Sequence, residues 1–170
     1  MSSNECRAQQ LSKLLIANGL TISVAESCTG GSLSRALTSI PGASSYFDCG
    51  YITYSNQSKV EMLGVDIQTI KTFGAVSEEV ALEMVIGVAS KSHSDIAVSI
   101  TGVAGPTGGT PEKPVGMVCF GFSYEGIRYG DKTATATCLF SGDRASIVSQ
   151  SVSNALNQLL LIRYRSWIIK

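Results

Sequence analysis

The fold of this chain is decided by the stretch TISVAESCTGGSLSRALTSI, residues 21–40. Its first five residues are rich in β-branched side chains and predict a strand. Apolar side chains then recur at helical spacing from Leu33 to Ile40, which predicts a helix. The small residues between the two, at positions 26–31, therefore form a strand-to-helix corner.

This corner offers a nucleophile beside a place for an anion. The first amides of a helix lack intrahelical partners and carry the positive end of the macrodipole, so a phosphate or a developing oxyanion is favoured there. Gly30 and Gly31 have no Cβ atom that would keep a substrate away, and Ser27 stands just before them. The structural alternative is that Ser27 or Thr29 only caps the helix, its oxygen accepting an amide hydrogen.

Length and composition exclude several classes of protein. A chain of 170 residues predicts one domain over residues 1–170. Charged residues make up 15% of the chain and its formal net charge is zero, which disfavours a nucleic-acid or membrane partner. No apolar run is long enough to span a bilayer, and residues 1–5 lack the features of a signal peptide. We therefore predict a soluble cytoplasmic protein.

The cysteines and the histidine exclude further chemistry. The chain has five cysteines without paired short spacing, which predicts neither a zinc site nor a disulfide framework. The single histidine, His93, follows an apparent helix end and is expected at the surface, so a Ser-His-Asp triad is disfavoured. Cys28 is an alternative nucleophile, because a helix N-terminus lowers the pKa of a thiol, but it ranks below Ser27.

The remaining pattern alternates helices and strands. A helix ends at Gly19, strands are predicted at residues 46–53 and 95–101, and the clearest helix follows Ser77. A short helix is expected around residues 59–63. This order predicts a single-domain α/β sandwich whose mixed, largely parallel sheet is flanked by helices.

The C-terminal part of the chain predicts a hairpin and a last helix. Strands at residues 115–124 and 127–139 are joined at Glu125-Gly126, and the helix begins near residues 141–143. The apolar residues 167–169 are expected either to dock on their own domain or to contact a second subunit in a homo-oligomer.

A second glycine-rich segment, residues 101–109, follows the buried strand at 95–101. Ligands of α/β sheets bind beyond the carboxyl ends of parallel strands. Because both glycine-rich corners occupy such positions, we expect them to converge on one pocket.

Five ordered motifs resemble the CinA C-terminal domain family. They cover nearly the whole chain, which is similar to the stand-alone form without the larger N-terminal domain of some members. The motifs are VAESCTGG (24–31), TYSNQSK (53–59), GAVSE (74–78), TGVAGP (101–106) with PEKPVG (111–116), and FSGDR (140–144).

The resemblance implies a nicotinamide-nucleotide amidase, which hydrolyses nicotinamide mononucleotide to nicotinate mononucleotide and ammonia in pyridine nucleotide salvage. It also implies a Ser-Lys catalytic pair with a neighbouring tyrosine. Matching motif to motif, these residues are Ser27, Lys59 and Tyr54. The implied mechanism needs neither a metal nor an organic cofactor.

The proposed base must be neutral to accept a proton. The pKa of Lys59 would have to fall from about 10.4 toward ~7 to 8, through burial or a second positive charge. Glu61 would oppose that fall if it faced the same way. Without the motif, Lys59 is better explained as a solvated surface lysine. Tyr54 either bonds the lysine or the serine, stacks on the pyridinium ring, or is an ordinary strand-end tyrosine.

The substrate is expected to be a small nucleotide held by backbone amides and one cation. Amides near residues 29–31 would hold the oxyanion, and the loop after residue 101 would hold the ribose phosphate. Arg144 is the candidate charged partner, or else forms a surface salt bridge at a helix start. The substrate-binding candidates are Thr29, Gly30, Gly31, Thr101, Gly102, Gly105 and Arg144.

A second functional class stays open. A non-catalytic nucleotide-binding or regulatory module of the same fold would bind the ligand without turnover. A phosphotransferase is disfavoured, because the glycine run lacks the Lys-Ser/Thr pair of a P-loop and no metal-binding carboxylate cluster is evident.

Overall fold

The structure is a computed structural model that describes residues 2–124 and 132–166, with side chains as far as Leu161. The described part holds five strands and six α-helices. They run in the order α1 Ser3–Asn18, β1 Ile22–Glu26, α2 Ser32–Thr38, β2 Phe47–Ile52, α3 Asn56–Leu63, α4 Ile67–Phe73, α5 Glu78–Lys91, β3 Ile96–Gly102, β4 Met117–Tyr124, β5 Lys132–Leu139 and α6 Arg144–Ser166. A short 3-10 turn at Ala43–Ser45 precedes β2.

The strands form one mixed sheet in the order β2-β1-β3-β4-β5. Strand β1 is parallel to both β2 and β3, whereas β4 pairs antiparallel with β3 and β5. Glu26 at the end of β1 lies opposite Ile52 and Ile100. The C-terminal ends of the three parallel strands therefore lie side by side, and the two predicted corners start there.

Helices cover both faces of the sheet, which confirms the predicted α/β sandwich. The larger core joins α1, α2 and α6 to one face and includes Leu15, Leu33, Ile100 and Leu156. The smaller core joins α3, α4 and α5 to the other face around Met84. Strand β1 is buried along its whole length because it lies between these two layers.

Two features lie outside the predicted order or the described residues. Helix α4 was not predicted from the sequence; it begins after Asp66, whose side chain accepts a hydrogen bond from the Gln68 amide. The predicted hairpin turn at Glu125-Gly126 and the apolar residues 167–169 fall outside the described residues. Among the helices that are described, none is long and apolar enough to cross a membrane.

Candidate active site

A cavity of about 260 Å³ opens at the edge where the parallel strands end. Its walls come from the corner after β1, the segment between β2 and α3, the loop after β3 and the start of α6. Ser27, Tyr54, Lys59, Thr101, Gly102, Gly105 and Arg144 all line it, together with Cys28, Asn56 and Val76. The two glycine-rich corners therefore meet at one cavity.

Ser27 and Lys59 are in direct contact at its base. The Lys59 Nζ atom lies 3.0 Å from the Ser27 Oγ atom. The serine is 7% exposed and the lysine 1% exposed, so Lys59 is not a solvated surface residue. Lys59 is the fourth residue of α3, which begins at Asn56 after Ser55 caps the helix by accepting from the Ser58 amide.

Burial lowers the pKa of Lys59 from 10.5 to about 8. The sequence suggested two ways to lower this pKa, burial or a second positive charge, and burial is the one that acts here. Glu61 points elsewhere and accepts a hydrogen bond from Gln57 at 2.5 Å. At pH 7 about a tenth of lysines with such a pKa are neutral, compared with fewer than ~0.1% at the ordinary value.

Lys59 Nζ has three oxygen partners, as many as an ammonium has N–H donors. It donates to the Ser27 Oγ atom at 3.0 Å and to the carbonyl oxygens of Thr53 at 2.8 Å and Tyr54 at 3.4 Å. A neutral amine has two N–H donors and one lone pair. When both donors stay on the carbonyl oxygens, the lone pair faces the Ser27 hydroxyl, which is the geometry that proton transfer from a serine needs.

Glu26 occupies the start of α2, where the sequence predicted an external anion. Its side chain is fully buried and accepts five hydrogen bonds at 2.7–3.1 Å. The donors are the Thr29 and Ser34 hydroxyls and the amides of Gly31, Leu33 and Ser34. The N-terminus of α2 is thus neutralised from within the protein.

This corrects the expected anion site at residues 29–31. The amide of Gly31 donates to Glu26, the amide of Gly30 donates to the Ser27 carbonyl oxygen, and neither glycine lines the cavity. Thr29 is buried with its hydroxyl on Glu26, so it is not a cap for α2 either. Within the described ranges, amides of the cavity wall that have no acceptor include those of Cys28, Ala104 and Gly105.

Tyr54 and Arg144 form a bridge across the cavity mouth. One guanidinium nitrogen of Arg144 donates to the Tyr54 hydroxyl at 2.8 Å and another donates to the Gly105 carbonyl at 2.9 Å. The tyrosine is 58% exposed, and its hydroxyl contacts Arg144 rather than Lys59 or Ser27. In the described part of the chain, Arg144 has no carboxylate partner, so the expected surface salt bridge is not found.

The loop after β3 is held by its ends. The Thr101 hydroxyl donates to the Ala75 carbonyl at 2.7 Å. A Cβ atom on Gly102 would lie 2.8 Å from the Met117 carbonyl oxygen, so only glycine fits beside β4. Lys113 donates to the carbonyl oxygens of Phe73 and Val76. These contacts fix the loop against the opposite wall of the cavity.

Cys28 is a poor nucleophile in this setting. Burial raises the pKa of its thiol to about 12. A thiolate is the reactive form of cysteine, and this site disfavours it. All five cysteines are free. In residues 2–124 and the described part of 132–166, no group of three or more His, Cys, Asp or Glu side chains could hold a metal ion.

Two features of the site were missed from the sequence. The carboxylate of Glu26 was treated only as part of a motif, although it is the sole charged residue of β1. Asn56 lines the cavity and precedes Lys59 by three residues, which places both on one side of α3. That spacing was visible in the sequence.

Comparisons with known proteins agree on one family. The CinA C-terminal domain matches residues 4–162. The nicotinamide-nucleotide amidohydrolase PncC of Escherichia coli (strain K12) is 44% identical over 152 residues, covering 89% of this chain and 90% of that protein. A CinA-like protein of Chloroherpeton thalassium is 46% identical over 155 residues, but the chain spans only 37% of its length.

A solved structure gives the same result. The competence/damage inducible protein CihA of Agrobacterium tumefaciens superposes with a TM-score of 0.91 at 37% identity, covering 96% of this chain and 97% of that one. Sequence family, relatives and fold therefore coincide, and the chain belongs to the CinA C-terminal domain family.

Proposed function

We propose that this chain is a nicotinamide-nucleotide amidohydrolase that converts nicotinamide mononucleotide to nicotinate mononucleotide and ammonia through a Ser-Lys pair. The contact of 3.0 Å between Lys59 Nζ and Ser27 Oγ carries the proposal. The similarity to PncC over most of both chains supports the substrate class.

The first half-reaction transfers the acyl group to the serine. Neutral Lys59 takes the proton of the Ser27 hydroxyl while Oγ attacks the carboxamide carbon. The amide of Cys28 is the candidate donor to the oxyanion, because this residue lines the cavity and its amide has no acceptor among the described residues. As the tetrahedral intermediate collapses, the Lys59 ammonium returns the proton to the leaving nitrogen, and ammonia departs from a nicotinoyl ester of Ser27.

The second half-reaction hydrolyses that ester. Lys59 is neutral again after ammonia leaves, so it takes a proton from a water molecule whose oxygen attacks the ester carbon. The C–Oγ bond breaks and the proton passes from Lys59 to Ser27. The products balance as one acid and one ammonia for each amide and water consumed.

The cavity mouth suits the nucleotide end of this substrate. Arg144 supplies a cation beside the loop amides for the 5′-phosphate, where charge-assisted hydrogen bonds are strong. The exposed ring of Tyr54 offers an aromatic face to the pyridinium cation. A substrate without phosphate loses the first of these contacts.

Ammonia release from nicotinamide, its riboside and its mononucleotide tests the proposal. We expect turnover of the mononucleotide without added cofactor, a kcat/KM at least about tenfold lower for the riboside, and no turnover by Ser27→Ala. Tight binding of the mononucleotide without ammonia release from the wild-type chain would favour the non-catalytic module instead.

A further inference from the structure

The fully buried carboxylate of Glu26 has no part in the mechanism above, although it directly precedes the proposed nucleophile. It sits at the end of β1 with both oxygens engaged. Oε1 accepts from the amide and the hydroxyl of Ser34, and Oε2 accepts from Thr29, Gly31 and Leu33. All five donors belong to residues 29–34.

These contacts hold the corner from within. The Ser27 amide donates to the Ile100 carbonyl and the Gly30 amide donates to the Ser27 carbonyl, so the peptide groups of the nucleophile are anchored to β3 and to the turn. On its apolar side the turn is anchored by Cys28, which packs in the larger core, whereas Gly30 and Gly31 have no side chain to pack. The Glu26 carboxylate is the polar anchor of the same turn.

The backbone of Glu26 also reaches the proposed base. Its carbonyl oxygen accepts a hydrogen bond from the Thr53 amide at 2.8 Å. The Thr53 carbonyl in turn accepts from Lys59 Nζ. One residue thus connects the segment that carries the lysine with the turn that carries the serine.

We propose that Glu26 is a positioning residue for catalysis: its carboxylate sets the Ser27 turn so that the hydroxyl faces Lys59 and the Cys28 amide faces the cavity. The inference rests on the proposed role of Ser27. It assigns to the carboxylate an effect on the chemical step and none on substrate binding, because Glu26 does not line the cavity.

The test variant is Glu26→Gln, which keeps the shape but replaces one acceptor oxygen with a donor facing other donors. The matched control is Glu78→Gln. Glu78 lies in the first turn of α5 and does not line the cavity. Its carboxylate accepts hydrogen bonds from the Thr135 hydroxyl at 2.6 Å and the Thr137 hydroxyl at 2.7 Å. Both are measured below their unfolding temperatures, with circular dichroism to verify the fold.

Two readouts separate positioning from stability. The first is the split between kcat and KM for nicotinamide mononucleotide. The second is the rate at which an alkyl fluorophosphonate phosphonylates Ser27 with loss of fluoride, which needs no nucleotide. We expect Glu26→Gln to lower kcat and the labelling rate by about 100-fold with KM within about twofold. Glu78→Gln should leave all three within about twofold.

A folded Glu26→Gln protein with wild-type kcat and labelling rate overturns the inference, as does a loss confined to KM. If that variant does not fold, Thr29→Val and Ser34→Ala each remove one hydroxyl donor from Glu26. Each should lower both rates about three- to tenfold, and wild-type rates in both would reject the positioning role.

The outcome for the wild-type chain separates this inference from the proposed function. If Ser27 is labelled but the mononucleotide is not hydrolysed, the proposed substrate is wrong. The labelling rates of the variants would still decide the role of Glu26. A wild-type chain that neither hydrolyses the mononucleotide nor labels would overturn both.

Discussion

The two glycine-rich corners of this protein look alike in sequence but differ in what their amides bind. Both follow buried parallel strands and both reach the same cavity. In the corner after β1, the amides at the start of α2 are satisfied by Glu26. In the loop after β3, the amides of Ala104 and Gly105 have no acceptor within the described residues.

On the proposed function, this difference assigns the reaction to the first corner and recognition of the substrate to the second. The amides bonded to Glu26 hold the first corner, which presents the Ser27 side chain to Lys59. A loop with open amides beside a cation can bind an external anion. Glycine content alone does not distinguish the two; the presence of a buried carboxylate does.

The largest effect is expected from removing the side chain that the first corner presents. Ser27→Ala should lower kcat/KM at least about 10,000-fold, since no other group replaces the nucleophile. Cys28→Ala removes only a thiol whose pKa is raised to about 12 and should cost about threefold or less. Ammonia release measures both. The reverse order of effects would identify the cysteine as the nucleophile.

The second effect concerns the lysine beneath that corner. Lys59→Met should lower kcat about 1,000-fold or more, yet stabilise the fold at pH 7. The lowered pKa of the lysine opposes folding by about 3 kcal/mol at that pH. Loss of the hydrogen bonds to Thr53 and Tyr54 offsets part of this, leaving a gain of about 1–2 kcal/mol.

The pH dependence of the stability gained by Lys59→Met tests whether the lowered pKa of the buried lysine is its cause. The pKa of Lys59 is about 8 in the folded chain and 10.5 in the unfolded one. Between these values the unfolded chain binds the extra proton, so wild-type stability rises with pH relative to Lys59→Met. Urea unfolding at pH 7 and pH 10 should show the gap between the two proteins narrowing. A gap that stays constant would contradict burial as the cause.

The third effect falls on the mouth of the second corner. Arg144→Met removes the bridge between Tyr54 and Gly105 and the cation beside the loop. KM for the mononucleotide should rise about 30-fold with kcat within about threefold. The riboside, which lacks the phosphate, should show little change. An equal loss of kcat/KM for the mononucleotide and the riboside would mean that Arg144 acts in the reaction rather than in binding the phosphate.

The fourth effect needs no substitution. Since the base acts in its neutral form and the pKa of Lys59 is about 8, kcat/KM should rise with pH and reach a plateau above pH 9. The value at pH 7 should be about a tenth of the plateau. An activity already constant from pH 6 upward would mean that the lysine is not the base.

The smallest effect compares one glycine from each corner. Gly105 has φ +72° and a Cβ atom there would lie 2.5 Å from Val115, whereas Gly30 has φ +55° with nothing within 4 Å. Gly105→Ala should raise KM about fivefold by shifting the loop. Gly30→Ala should cost ~1 kcal/mol of stability from backbone strain and leave KM unchanged. Thermal unfolding and steady-state kinetics of the two variants measure the contrast.

The sequence predicted the parts of this site that depend on local pattern. Strand-to-helix corners follow from β-branched and helical periodicity, and the need for a buried lysine follows from the chemistry of a serine without a histidine. The motif resemblance selected Lys59. Its burial then depends on α3 folding under the first corner, which no local pattern specifies.

Other parts depend on contacts between distant segments. Arg144 and Tyr54 are 90 residues apart, and their bond requires α6 to begin beside the end of β2. The contacts of Glu26 depend on how α2 packs over the end of β1, so a sequence pattern could mark the residue but not the four residues that donate its five hydrogen bonds. Helix α4 has seven residues like α2, but it buries only Ile70, so no repeated apolar stripe marks it as a helix.

The carboxylate of Glu26 also bears on how this scaffold can diversify. Because the protein's own anion fills the helix start, a substrate phosphate has no access to it. On the proposed function, a change of nucleotide preference would therefore be made in the loop after β3 or at Arg144. Those segments lie apart from the serine turn in the chain. The fold can therefore vary its substrates in one segment while the reacting group stays unchanged in another.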